Sequence, residues 1–283
     1  MIKATIIQDS FFNNRITTFE LEYPRFIHSE LMTHRQFSRN AASSRAIPIE
    51  KMHAHIRDNP AMPIHWGKNQ PGMQADEEIL DIKSAKMNWM VASDTAIHSA
   101  RMLMMDGLHK QIANRVTEPF QTMKTVVTAT EYDNFFELRR HRDAQPEIRE
   151  LAEQMYDGMA NSIPLQLREG EWHVPYVDRH KLGYDLSYTV DGVLVSAKQS
   201  REISASCCAQ VSYRRNDTSQ DKAEIIFQKL ISSQPAHLSP VEHQAKPVPE
   251  GDYDWHLGVT HIDRQGNRWS GNFKNWIQFR QLL

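Results

Sequence analysis

Thirteen residues, Thr33-His34-Arg35-Gln36-Phe37-Ser38-Arg39-Asn40-Ala41-Ala42-Ser43-Ser44-Arg45, hold a histidine, three arginines, three serines and an asparagine with almost nothing to bury. No core helix carries that composition, because each buried guanidinium would need a carboxylate and the segment has none. The cluster follows residues 16–32, which read as an apolar-punctuated strand and a helix, so ordered structure delivers it. Cations mixed with hydroxyl and amide donors suit a phosphate and a polar heterocycle. The expectation is an anion-binding active-site segment, with a solvated basic loop as the alternative.

The remainder of the 283 residues narrows the class. Thirty-three basic and 35 acidic side chains leave a formal net charge of -2, so basic character is local. A general nucleic-acid coat, whose affinity rests on many phosphate contacts, is not expected. No stretch approaches the roughly 18–20 continuous apolar residues of a membrane span, and the N-terminus lacks a signal-peptide pattern. Cys207 and Cys208, adjacent, cannot frame disulfides and are expected to be reduced. A soluble, cytoplasmic protein is expected, acting on small molecules without nucleic-acid or membrane partners.

Residues 2–7 and 16–23 have the β-branched, apolar content of paired strands, and Pro24 opens a helix toward the basic cluster. Residues 47–72 read as a long irregular excursion, either a functional lid around His65-Trp66-Gly67 or a plain surface loop. The strongest helical pattern spans 76–108, where Ile79, Ile82, Ala85, Trp89, Ala92, Ala96 and Leu103 recur at helical spacing. Its Met87, Met90, Met102, Met104 and Met105 read as packing residues. Further helices are expected at 127–140, 144–161, 200–213 and 219–232. Asp191-Gly192 marks a hairpin within 188–195. The last fifty residues read as mostly irregular. With no repeat and no clean linker, the chain is expected to form one α+β domain over 1–283.

Three further segments carry chemistry. Asn134-Phe135-Phe136-Glu137-Leu138-Arg139 precedes Ala144-Gln145-Pro146-Glu147-Ile148-Arg149, which alone could be an amphipathic helix pair with surface arginines. Arg115 lies in Ala113-Asn114-Arg115-Val116-Thr117-Glu118-Pro119 and could equally be a helix-terminal arginine without a ligand. His237-Leu238-Ser239-Pro240-Val241-Glu242-His243 places two histidines six apart. Pro240 breaks the helix between them, so no metal site is expected.

Together these segments resemble the flavin-dependent thymidylate synthases. The basic cluster is similar to the signature Arg-His-Arg-x-x-Ser-x-Asn-x-x-Ser-x-Arg, with His34, Arg35, Ser38, Asn40, Ser43 and Arg45 in register. Residues 134–149 resemble the family's Asn-Phe-x-x-Leu-Arg and Ala-Gln-x-Glu-Ile, and 113–119 its Ala-Arg-x-x-x-Pro turn. Ser204-Ala205-Ser206-Cys207-Cys208-Ala209-Gln210-Val211-Ser212 and 237–243 resemble elements that ordinarily come before the signature. The likeness is therefore to circularly permuted phage and bacterial members, with the usual N-terminal elements at about 196–250.

The resemblance implies an α+β fold with a small antiparallel sheet, long helices and permuted motif order. It implies FAD-dependent methylation of dUMP to dTMP, with methylenetetrahydrofolate as carbon donor and NAD(P)H as reductant. Arg139 would be catalytic, contacting the uracil ring and favouring loss of its N3 proton. Glu30, Ser43, Ser44, Arg45, Arg115 and Arg139 would bind substrate. His34, Arg35, Gln36, Ser38, Asn40, Asn134, Ser204, His237, Ser239 and Glu242 would bind the cofactor. A homotetramer with shared active sites is expected, and no metal. Thr33, Ala41, Cys207, Gln210, Thr128-Ala129-Thr130 and Asp143 depart from the usual pattern and remove cationic contacts. A folate-dependent hydroxymethylase of the same nucleotide is the alternative within this fold. A basic-loop RNA- or protein-binding module is the alternative outside enzymology. Both thiols are expected on a helix away from the signature, which leaves arginine-assisted ring ionisation rather than cysteine addition.

Overall fold

A computed structural model describes residues 2–43, 47–72, 74–212, 217–251 and 256–283. Its centre is a five-stranded sheet in the order β3-β4-β2-β1-β5. β1 (Lys3–Phe12) and β2 (Asn14–Pro24) form a hairpin whose turn residue, Asn13, takes a positive φ of 54°. β3 (Ser38–Ala41) and β4 (Thr122–Ala129) extend the sheet antiparallel, whereas β5 (Leu165–Gln166) joins β1 in parallel. The sheet is thus mixed, not purely antiparallel as expected.

Alternation along β2 and β4 gives the sheet two different faces. Phe19, Leu21, Tyr23, Val127 and Ala129 bury one face against α5 (Asp133–Arg139) and α6 (Pro146–Asn161), through Phe135, Ile148, Leu151 and Met155. Fully burying side chains of this size stabilises by roughly 1.5–3 kcal/mol each. The opposite face buries Ile16 and Val126 and between them carries a continuous hydrogen-bonded polar row. Arg179 Nη1 donates to Ser10 Oγ, Ser10 Oγ meets His173 Nδ1, and His173 Nε2 meets Thr18 Oγ1. Thr18 Oγ1 then meets Thr128 Oγ1, which meets His243 Nδ1. Arg179 can only donate, so Ser10 Oγ accepts from it, and every link of the row is satisfied when each hydroxyl passes its proton onward between neutral imidazoles protonated on Nε2. Burial holds both histidines far below their usual protonation range, His243 at about 3.

The helices depart from the sequence expectations in instructive ways. α1 (His28–Met32) follows a 3-10 turn, Arg25–Ile27, as Pro24 predicts. The stretch 47–72 is not irregular throughout, since α2 (Ile49–Asp58) buries Ile49, Met52, His53 and Ile56. α3 (Ile82–Met105) begins six residues later than expected, where Asp81 accepts from the Ser84 amide. Residues 77–79 instead pair back on the loop through Lys68 N to Glu77 O and Ile79 N to Trp66 O. Residues 127–129 belong to β4, not to a helix. A short α4 (Lys110–Ala113) leads into the 3-10 segment Asn114–Phe120.

β6 (Asp178–Leu182), β7 (Asp185–Val190) and β8 (Val193–Val195) form a meander, with Asp191 and Gly192 both at positive φ in the expected turn. Ser196 and Gln199 form a capping box that starts α7 (Ala197–Ala209), and α8 (Gln220–Ser232) packs on it. The tail holds β9 (Ala245–Pro247), β10 (His261–Ile262), β11 (Arg268–Ser270), β12 (Phe273–Lys274) and β13 (Trp276–Gln278). It docks on β3 through Gln278 Nε2, which donates to Ser38 Oγ at 3.0 Å, while α7 reaches the same strand where Asn40 Nδ2 donates to Cys208 O at 2.9 Å. No helix among the described residues is long and apolar enough to cross a membrane.

Candidate active site

α1 and α5 bring two distant segments together. Leu31 anchors α1 in the core and leaves Glu30 on the outer side, with Thr33 and His34 in the turn beyond. Phe135 and Phe136 anchor α5, and Arg139 ends it, where a cation suits the helix dipole. The guanidinium meets all three residues of the α1 turn. Arg139 Nε donates to His34 Nε2 at 2.9 Å, Nη1 to Glu30 Oε2 at 3.1 Å and Nη2 to Thr33 Oγ1 at 3.3 Å. The imidazole packs edge-on against Phe135, with centroids 4.9 Å apart.

Arginine has no acceptor, so His34 Nε2 offers a lone pair and the ring is neutral with its proton on Nδ1. Burial, then the positive charges of Arg139 and Arg39, push His34 down to about 4. Arg39 ties the turn itself, donating to Met32 O at 2.8 Å and His34 O at 3.2 Å.

Two cavities flank this cluster. One, of about 880 Å³, is lined by Glu30, Arg139, Arg142, Gln145, Glu147 and Arg149 on one side. Phe26, Pro63, His65, Gly67 and Trp89 line the other. Glu147 is buried and accepts from the Ile64 amide and from Gln145 Nε2, both at 2.9 Å, which ties the 61–81 loop to α6. A Cβ on Gly67 would stand 2.4 Å from Ala75 Cβ, so only glycine lets the loop close on itself here. The second cavity, of about 510 Å³, gathers Thr33, His34, Arg35, Gln36, Asn134, Phe135 and Trp269.

The remaining expected site residues fall elsewhere. Ser38 is buried among Asn272 and Gln278, and Asn40 bonds to Cys208 O. Ser204 is fully buried and accepts from Gln244 Nε2. Glu242 pairs with Arg280, Ser239 opens a 3-10 turn, and the His237 amide donates to Leu230 O. None of these six lines either cavity. Arg115 is exposed and paired with Glu118 at 2.9 Å. Ser43 lies beyond both cavities, its amide donating to Ser212 Oγ at 2.9 Å. Ser44 and Arg45 fall outside the described residues.

The thiols correct one expectation, because α7 is not away from the signature. Cys208 O accepts from Asn40, yet both thiols are buried, and burial pushes Cys207 up to about 12 and Cys208 far up. Arg142, Arg149, Phe26, Trp89 and Trp269 line the cavities without having been singled out. The crowding of arginines at 139, 140, 142 and 149 was the available signal. Among the described residues no three metal-ligating side chains converge.

The model of the thymidylate synthase complementing protein family, Thy1, matches residues 7–165. The chain belongs to this family. The matched span holds both Thy1 segments that build the Arg139 cluster and stops short of 196–250, where permuted elements are expected. Two solved structures of a UMP/dUMP methylase, PolB from Streptomyces cacaoi, are similar to the Thy1 chain. The complex with 5-Br UMP is 19% identical, with a TM-score of 0.48 over 59% of this chain and 90% of that one. The complex with 5-Br dUMP is 21% identical, with a TM-score of 0.43 over 54% and 67%. No curated protein matches.

Proposed function

We propose that the chain is a flavin-dependent thymidylate synthase, methylating C5 of dUMP with methylenetetrahydrofolate and NAD(P)H. The observation that carries this is Arg139, held on three sides at the rim of an 880 Å³ cavity between two Thy1 segments. Uracil C5 is a poor nucleophile, so negative charge must build in the ring before carbon can be accepted there. A fixed guanidinium supplies planar donors to that developing charge. The usual alternative, a thiolate adding at C6, has no candidate. The only two cysteines are buried and strongly disfavour ionisation.

The 510 Å³ cavity suits part of a flavin, since His34, Arg35, Gln36 and Asn134 offer polar contacts around it and Trp269 a flat surface. Flavin bound there would supply the hydride. His34, Arg35, Gln36 and Asn134 would orient it, and Arg142 and Arg149 would take the nucleotide phosphate. The 61–81 loop, with His65, would cover the folate side and exclude water.

The homotetramer and the permuted layout remain part of this reading. Ser43 and Arg139 lie apart in one chain, which supports a site completed by another. The tail's docking onto β3 supports a late segment serving as an early one. A folate-dependent hydroxymethylase, which needs no hydride, is the second reading. It is favoured by Thr128 and Thr130, whose hydroxyls are spent on His243 and on the Lys274 amide where the family pattern offers flavin contacts.

The test is the mass of the nucleotide after incubation with FAD, NADPH, methylenetetrahydrofolate and dUMP. A methyl gain that depends on NADPH supports the synthase. A hydroxymethyl gain without reductant supports the second reading, and unchanged dUMP contradicts both.

A further inference from the structure

Arg139 can stabilise an ionised uracil but cannot receive its proton, because all five guanidinium N–H groups are donors. The site needs an acceptor, and the cavity walls offer few. His34 is unsuited: Nε2 is occupied by Arg139 and Nδ1 holds the proton. Glu147 is buried with both carboxylate oxygens accepting, from Ile64 and Gln145. Asp143 is paired with Arg142, and His65 Nε2 contacts Ala75 O at 2.5 Å. Asp76 lines the cavity too but makes no contact with Arg139; Glu30 is the wall carboxylate that touches the guanidinium. Its Oε2 meets Arg139 at 3.1 Å, its Oε1 has no hydrogen bond among the described residues, and it lines the same cavity.

Resting on the uracil-nucleotide reading above, we infer that Glu30 is a catalytic residue, the base that accepts the N3 proton. The N3–H bond breaks and an O–H bond forms on Glu30, with the electron pair left in the ring. Arg139 then turns its Nη1 donor from the carboxylate to a ring oxygen. One negative charge migrates from Glu30 to uracil beside the same cation, so the site acquires no new net charge. That avoids the desolvation penalty of creating an unpaired anion inside the cavity. The same pair explains base selection: Glu30 accepts from an N–H that Arg139's donors cannot satisfy, and Arg139 donates to the neighbouring carbonyl.

The test uses dUMP labelled with ¹⁵N at N3, bound to the full chain and followed by NMR, together with turnover. With the wild type, N3 loses its proton coupling. With Glu30→Gln, which keeps size and shape, bound dUMP keeps its N3 proton, and kcat falls about 100-fold while KM for dUMP is retained. 5-Fluoro-dUMP, whose N3–H is more acidic, binds to Glu30→Gln as the anion, a rescue that a merely structural role does not give. Wild-type kcat in Glu30→Gln overturns the assignment, as does loss of dUMP binding in that variant alone. A wild type that binds no dUMP contradicts the uracil-nucleotide reading instead.

Discussion

His34 is half-buried and accepts a hydrogen bond from a cation, and burial together with the charges of Arg139 and Arg39 keeps the ring neutral. The folded-state value is about 4 against an ordinary 6.5, so folding disfavours the charged ring. His173 and His243 are depressed in the same direction by burial. The unfolded chain therefore binds more protons than the folded one once pH falls below about 6.5. Stability contributed by these neutral rings is fully present above that value and is lost as pH falls toward about 4. Thermal unfolding at pH 7 and pH 5 is expected to show a lower Tm at pH 5, and an unchanged Tm contradicts this. In Arg139→Ala the His34 ring, followed by proton NMR, is expected to titrate above its wild-type value, since one of its two neighbouring cations is gone. At this scale motif spacing named Arg139, His34, Arg35, Gln36 and Asn134, and the structure gathers them at the two neighbouring cavities. Ser38, Asn40 and Ser204 were named from the motifs too, and the structure places them away from both cavities, because a motif names a polar side chain without saying whether its hydrogen bonds are spent inside the protein.

Elements reveal why some expectations failed. Val126, Val127 and Thr128 are β-branched and pair with β2, but the helical run after them drew the boundary too early. α2 hid between Pro48 and Pro60, although Ile49, Met52, His53 and Ile56 recur at helical spacing. β4 also carries the central link of the buried polar row. Thr128→Val keeps the shape but removes the contacts to Thr18 and His243, leaving the His243 ring buried without its partner and the Thr18 hydroxyl held only by His173. The expected loss is about 2–4 kcal/mol of unfolding free energy, read from urea denaturation. A change below about 0.5 kcal/mol, the scale of a surface substitution, contradicts the continuity of the row.

The whole molecule leaves a helix face uncovered. Ser93, Ala96, Ile97 and Ala100 turn α3 inward, while Met87, Met90, Val91, Met102 and Met105 are exposed, Met105 at 78%. Val91 and Met102 lie eleven residues apart, about three turns, and so share one face. Of the methionines read as packing residues, Met104 is half-buried and the other four stay exposed, and the sequence could not distinguish burial by the same chain from burial by another copy. Sedimentation is expected to give the wild type a tetramer's mass and Val91→Lys with Met102→Lys a smaller one. A monomeric wild type contradicts the shared-site reading.

Activation of C5 by Arg139 is read directly by tritium release from [5-³H]dUMP in the complete reaction mixture. Release into water by the wild type, falling about 100-fold or more in Arg139→Ala, is the expected result. No release by the wild type, or undiminished release by Arg139→Ala, would contradict it.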